Sequence, residues 1–240
     1  MPRKNRRRAR CLQQAAACSG FQGDKAMSKP LIIGLTGQTG SGKSTICDTF
    51  ISEGFAVIDC DQVARKVTED SSPCCHELSR HFPSCFDRKL HLNRKALGAI
   101  VFNDKEKLEL LNSLIFPFIN VEIEAEINSC IHSGFEYIVL DAPTLFEAGA
   151  DRLCDIVISC TADMETRINR IIERDSISYE QASARAASQH SEAFFEEHSD
   201  IVIENNGSIG ALKNAADYII YTVKVRKYGC KKEKQKEEKE

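Results

Sequence analysis

The sequence predicts an α/β fold: a five-stranded parallel sheet with helices between the strands. Three observations carry the prediction. Short apolar runs recur at Leu31 to Thr36, Phe55 to Ile58, Tyr137 to Leu140, Asp155 to Ser159 and Asp200 to Glu204, with helical patterns between most of them. The first run leads directly into Gly37-Gln38-Thr39-Gly40-Ser41-Gly42-Lys43-Ser44, then Thr45, which is the GxxxxGK[ST] spacing of a phosphate-binding loop. Residues 70–134 contain no strand-like run and read as helices only.

The loop defines the first chemistry. Glycines let the backbone curl with its N–H groups inward, and the helix that follows (Ser44 to Ser52, with Ile46, Phe50 and Ile51 on one face) adds a partial positive charge at its start. Lys43 can reach the β- and γ-phosphates, and the Ser44 hydroxyl can hold Mg²⁺. A nucleoside triphosphate is the expected ligand of Gly37 through Thr45.

Gly54 suits the end of that helix. The second strand ends in Asp59-Cys60-Asp61, two carboxylates at the sheet's carboxyl edge, where ligands of open parallel sheets bind. Asp61 is also placed to cap the helix holding Val63, Ala64 and Val67. Helices are expected at His76 to Phe82, Arg94 to Val101, Lys105 to Asn112 and Phe118 to Ile131, the last opened by Pro117. This insertion far exceeds the ~2–6 residues that connect elements in most α/β units, which suits a second-substrate site.

Asp141 ends the third strand, where phosphate-loop proteins place an acid that holds Mg²⁺ directly or through water. After the fourth strand, a helix from Met164 to Glu173 carries Arg167 and Arg170, with Arg174 next; Arg185 follows a polar stretch, Ser176 to Ala184, that reads as mobile. Such a segment suits a lid that closes on triphosphate and adds positive charge. The alternative for any one arginine is a solvated face paired with Glu165 or Glu173. Asn205-Asn206-Gly207 is a tight turn after the fifth strand, placed for adenine contacts, with Asn205 as the candidate. Ser208 can cap a final helix bearing Leu212, Ala215, Ala216, Ile219 and Val223.

This is the plan of a nucleoside or metabolite kinase. No N-K-x-D guanine motif occurs, which argues against a switch GTPase. The motifs closely resemble the dephospho-CoA kinase family. They are the loop from Gly34 to Thr45, Val57-Ile58-Asp59-Cys60-Asp61-Gln62-Val63-Ala64-Arg65, Asn93 to Leu97, and Pro143 with Leu145-Phe146-Glu147. Arg170 to Asp175, Arg185 with Gln189, and Asp200 through Gly207 complete the set, spanning about residues 30 to 220. The resemblance implies transfer of the γ-phosphoryl of ATP to the ribose 3′-hydroxyl of dephospho-CoA. It implies Asp61 nearest the attacking hydroxyl as general base, with Lys43 and Arg174 also catalytic. Arg170, Arg174 and less directly Arg185 meet phosphate; Ser44 and Asp141 position Mg²⁺. Arg65, Arg94 and Glu147 stand where the acceptor is met. For these three, structural pairing competes with ligand contact. Three positions depart from the family pattern: Gln38-Thr39 for Gly-Ile, Thr144 for leucine, and Phe116 for the histidine before Pro117.

The implied organisation is a basic, disordered extension (1–28) and a P-loop kinase domain (29–228). Within the domain lie a core (29–60 and 135–173), a helical CoA-binding insertion (61–134), a lid (174–190) and further core (191–228); a charged disordered tail (229–240) follows. The arginines before residue 11 also admit a transit peptide or an arm touching RNA or membrane. The net charge of −3 argues against a generally basic nucleic-acid binder, and no apolar run approaches the ~20 residues of a membrane span. Eleven scattered cysteines without a C-x-x-C pair fit reduced thiols in a cytoplasmic protein, expected as a monomer or weak oligomer. Two alternatives remain open: a kinase for another small hydroxyl acceptor (nucleoside, sugar acid or shikimate), and a nucleotide-binding regulator without transfer activity.

Overall fold

Five strands form one parallel sheet in the order β2-β3-β1-β4-β5: β1 Leu31–Gly37, β2 Ala56–Asp59, β3 Tyr137–Asp141, β4 Ile156–Thr161 and β5 Ile201–Glu204. The computed structural model describes residues 29–101 and 104–237, with side chains through residue 225. The basic extension at 1–28 and residues 238–240 of the charged tail lie outside the described residues. The strands begin one residue later than their apolar patterns suggest at β2, β4 and β5. At two of these starts the reason is visible. Asp155 Oδ2 accepts the Ile32 amide at 2.9 Å and Asp200 Oδ2 accepts the Val157 amide at 2.7 Å, so each carboxylate closes the edge of a neighbouring strand instead of extending its own.

Both faces of the sheet are buried, as an all-parallel sheet requires. Ile33, Leu35, Val139 and Ile158 point to one side, under α1 (Lys43–Ser52) and α9 (Ile209–Glu237), which contribute Phe50, Leu212 and Ile219. Ile32, Ile58, Ile138 and Leu140 point to the other, under α2 (Cys60–Val67) and α5 (Lys105–His132). The α9 backbone continues to Glu237, into the charged tail (229–240) expected to be disordered. All eight described cysteines are free thiols.

The insertion differs from expectation in one respect. Lys105–Asn112 and Phe118–Ile131 are a single helix, α5, and Pro117 lies inside it rather than opening a second one. An interior proline costs about 3 kcal/mol through its missing N–H and ring clash. Burial on both sides exceeds that. Leu111, Leu114 and Phe118 join Leu78, Phe82, Cys85 and Leu97 in the insertion's own core, while Ile119, Ile123 and Ile127 pack toward the sheet. At about 1.5–3 kcal/mol per buried large side chain, continuity wins. Two shorter helices fold over α5: α3 (Pro73–His81), begun by Ser72 and Pro73 three residues earlier than the pattern implied, and α4 (Arg94–Val101).

The lid region also differs. Ser176–Ala184, read from its polarity as mobile, is largely helix: α6 (Met164–Asp175) turns at Ser176 (φ 53°) into α7 (Tyr179–Ala187), which Ser178 and Gln181 start with reciprocal caps. Ala182 and Ala186, four apart, pack on Ile168 and Ile171. The polar residues of this stretch are caps and an outer face. The short α8 (Glu192–His198) leads into β5.

Candidate active site

With β1 central in the sheet, the loop that follows it emerges at the middle of the carboxyl edge, where the strand order reverses. The register sets Asp59 beside Asp141 on β2 and β3, and Gly37 beside Cys160 on β4. The loop needs its glycines. At Gly37 (φ 128°) a Cβ would stand 2.1 Å from the Cys160 carbonyl oxygen, and at Gly42 (φ 107°) 2.5 Å from Asn205 Nδ2.

Three carbonyls of the loop, those of Thr39, Gly40 and Ser41, are taken by donors from outside it. Thr39 O accepts from Arg167 Nε at 3.1 Å, and Gly40 O from Arg170 Nη1 at 3.2 Å. Ser41 O accepts from Asn205 Nδ2 at 2.6 Å and Cys160 Sγ at 3.2 Å. Carbonyls held outward favour inward amides at the loop's tip, as an anion nest requires, while the Thr39 amide is taken by Gln189 Oε1 and the Ser41 amide by the Gln38 carbonyl. No side chain caps α1; the Thr45 amide donates to the Gly42 carbonyl at 2.9 Å, and the helix start adds a partial positive charge to the nest. Lys43, in that turn, lies back along the loop with Nζ 3.1 Å from the Gly37 carbonyl. Gln38, Thr39 and Thr45 line its two ends.

The three lid-side arginines, alike in sequence, have separate surroundings. Arg167 is 2% exposed and ties the Thr39 carbonyl to Ala186 O and Gln189 Oε1, at 3.0 Å each for the latter two. Burial lowers its pKa from the ordinary arginine value. Arg170 is half-buried against the loop. Arg174 grips the Asp175 carboxylate with Nε and Nη2, both at 2.8 Å, and Arg185 Nη1 reaches the same carboxylate at 2.5 Å. The hydrogen bonds from Arg174 hold Asp175 below the usual carboxylate range and raise Arg174 in turn. Asn205, proposed for adenine, is 6% exposed with its amide donor committed to Ser41; Asn206 Oδ1 accepts the Asp163 amide at 2.8 Å at the start of α6.

On the acidic side, Asp59 and not Asp61 caps α2. Its Oδ1 accepts the Gln62 amide at 3.1 Å and its Oδ2 the Gln62 side chain at 2.9 Å. β2 runs one residue further than its apolar pattern, which moves the cap back by two and leaves Asp61 exposed in the first turn of α2. Asp59, Asp61 and Asp141 gather around the buried Cys60 thiol. Its pKa is driven up by burial first and then by Asp141, Asp59 and Asp61.

Toward the insertion, Arg65 is exposed on α2. Arg94 Nη2 donates to Arg65 O at 3.2 Å and Thr68 O at 3.0 Å, closing the carbonyl end of α2. Glu147 Oε1 lies 3.2 Å from His190 Nε2. The edge of the sheet thus sets Asp59 beside Asp141, with Asp61 two residues on, and the loop against Arg167 and Arg170, whereas Arg174 and Arg185 meet each other at Asp175 and Glu147 meets His190. Sequence reasoning missed the roles of Cys160, Gln189 and His190, which meet their partners only across the fold.

The profile of the dephospho-CoA kinase family matches residues 31–211, three-quarters of the chain. The chain belongs to the dephospho-CoA kinase family. It is 37% identical over 191 residues to a dephospho-CoA kinase of Corynebacterium glutamicum, spanning 79% of this chain and 96% of that one. Among solved structures, a Thermus thermophilus protein superposes with a TM-score of 0.70 at 31% identity, covering 81% of this chain and 98% of its own. The dephospho-CoA kinase of Campylobacter jejuni follows with a TM-score of 0.59 at 27% identity, covering 80% and 96%. The family match includes the loop, Asp61, the insertion and the lid arginines. Among the described residues no helix is long and apolar enough to cross a membrane.

Proposed function

We propose that this chain transfers the γ-phosphoryl of ATP to the ribose 3′-hydroxyl of dephospho-CoA, giving ADP and CoA. The observation that carries the reading is the family match across residues 31–211, which takes in both the donor loop and the acceptor-side elements. In the reaction the bond from the γ-phosphorus to the β,γ-bridging oxygen breaks and a bond to the 3′-oxygen forms. The hydroxyl proton passes to Asp61, and the bridging electron pair leaves with ADP.

Inward amides of the loop and Lys43 bind the β- and γ-phosphates. Arg174, with Arg170 and Arg185, supplies further positive charge from the lid. Asp61, exposed at the start of α2, orients the 3′-hydroxyl. An Asp of pKa near ~3.9 is a weak base for an alcohol, and a loose transition state needs little early deprotonation, so orientation is its larger part. Arg65 and Arg94 meet the acceptor from the insertion side and Glu147 from the segment after β3, and Asn205 stands toward the adenine end. The donor set at Ser44 and Asp141 fits Mg²⁺, which takes one or two protein oxygens together with phosphate oxygens. When bound there, Mg²⁺ neutralises charge on the transferring phosphoryl group.

ADP release from ATP, measured with dephospho-CoA against nucleosides, sugar acids and shikimate, tests the reading. Rapid turnover with dephospho-CoA alone is expected. Silence with dephospho-CoA and turnover with another acceptor would replace the substrate. ATP binding with no turnover on any acceptor would favour a regulator.

A further inference from the structure

Gln189 and His190, at the end of the lid segment, join three parts of the molecule. Gln189 Oε1 accepts from the Thr39 amide at 2.7 Å and from Arg167 Nη2 at 3.0 Å, and its Nε2 donates to Thr39 Oγ1 at 3.0 Å. One residue on, the His190 carbonyl accepts from Gln38 Nε2 at 3.1 Å, while the imidazole meets Glu147 at 3.2 Å. The ring is held there by stacking on Phe194 at 3.8 Å between centroids, and Phe194 meets Phe146, the neighbour of Glu147, edge-on at 5.4 Å.

Gln38 and Thr39 are thereby committed to the lid end. Gln38 is 3% exposed, and its Oε1 has no hydrogen-bond partner among the described residues. A buried amide with one end unsatisfied is unfavourable by itself, so the bond from its other end to His190 is what the position supplies. On the other side, one Gln189 oxygen receives an amide and a buried guanidinium together, a charge-assisted arrangement that defines the position of both.

We propose that Gln189 and His190 are positioning residues that couple the nucleotide loop to the acceptor side. Gln189 fixes the Gln38–Thr39 shoulder of the loop, and His190 aims Glu147, so that seating of the triphosphate and orientation of the acceptor depend on one dipeptide. The proposal rests on the kinase reading above. Arg167 takes part as the buried anchor against which Gln189 is set.

The test uses the full chain, with KM for ATP and for dephospho-CoA measured separately. Gln189→Met keeps the volume but removes both acceptor and donor functions, and it raises both KM values by about tenfold, the scale of a lost buried hydrogen-bond pair. Gln189→Glu keeps the oxygens and accepts from the Thr39 hydroxyl; it recovers most of that loss. His190→Ala, at an exposed position, raises the KM for dephospho-CoA several-fold and leaves that for ATP within about twofold. A lowered melting temperature with both KM values unchanged would overturn the proposal, as would a Gln189→Met defect that Gln189→Glu fails to recover. If the parent chain forms no ADP with dephospho-CoA, the kinase reading fails. The coupling element is then judged on ATP affinity by calorimetry, where Gln189→Met must weaken binding and Gln189→Glu must restore it.

Discussion

Asn205 donates its side-chain amide to the Ser41 carbonyl at 2.6 Å, from a strand end 164 residues further along the chain. The bond holds a loop carbonyl outward, and with it the direction of the next amide inward. Asn205→Leu leaves that carbonyl buried beside an apolar group. It is expected to lower stability by about 1–3 kcal/mol and triphosphate affinity by about tenfold. Calorimetric titration with ATP and with inorganic tripolyphosphate distinguishes two roles for this residue. Equal losses for both ligands mark a loop role, whereas a loss confined to ATP marks contact with adenine.

Arg174 and Arg185 share the Asp175 carboxylate. Arg174→Ala is expected to lower kcat by about 10²–10³ while leaving the fold intact, since only an exposed ion pair is lost. Acid dependence follows from Asp175, whose carboxyl is held below its ordinary value chiefly by Arg174. A depressed folded pKa contributes stability that is present above the unfolded pKa and is lost as pH falls through the folded one. The α6–α7 hairpin therefore keeps this tie at pH 5 and loses it only in stronger acid. Hydrogen exchange over residues 179–187, followed from pH 6 downward, should show an acid-induced loosening that Asp175→Asn abolishes.

What the sequence made legible was local. The GxxxxGKS spacing, five apolar runs and the order of motifs predict the sheet, the loop and the family, because each depends on neighbours in the chain. Contacts that depend on the assembled fold were not legible. Cys160, Gln189 and Asn205 reach the loop across 119, 150 and 164 residues, and no local pattern gives those partners, not even the turn that singled out Asn205. Arg167, Arg170 and Arg174 look equivalent at helical spacing, yet one is buried, one lies on the loop and one pairs with its neighbour. Asp59 and Asp61 were exchanged as caps because the end of β2 is set by pairing with β3, not by its own apolar run.

Asp61 is exposed in the first turn of α2, two residues after Asp59, which accepts the Gln62 amide and side chain. If Asp61 orients and deprotonates the acceptor, Asp61→Asn lowers kcat by at least ~10²-fold and changes the KM for ATP by less than about threefold. Asp59→Asn retains an acceptor for the Gln62 amide and should lose far less. Steady-state kinetics on the two variants separate the carboxylates. Near-normal turnover in Asp61→Asn would remove Asp61 from the reaction.

Pro117 has no amide to offer the Ser113 carbonyl, yet α5 passes through it without interruption. The helix is held by burial on both sides, by Leu111, Leu114 and Phe118 in the insertion core and by Ile119, Ile123 and Ile127 toward the sheet. Those contacts do not depend on the proline. Pro117→Ala restores the missing bond and removes the ring clash, and it should raise stability by about 1–3 kcal/mol. Denaturant or thermal unfolding of the parent and variant measures this directly. A fall in stability would mean that the ring itself fills space between the two cores. If Pro117 instead shapes the acceptor pocket through Phe116, the same variant gains stability but loses affinity for dephospho-CoA, and a KM measured beside the melting curve separates the two roles.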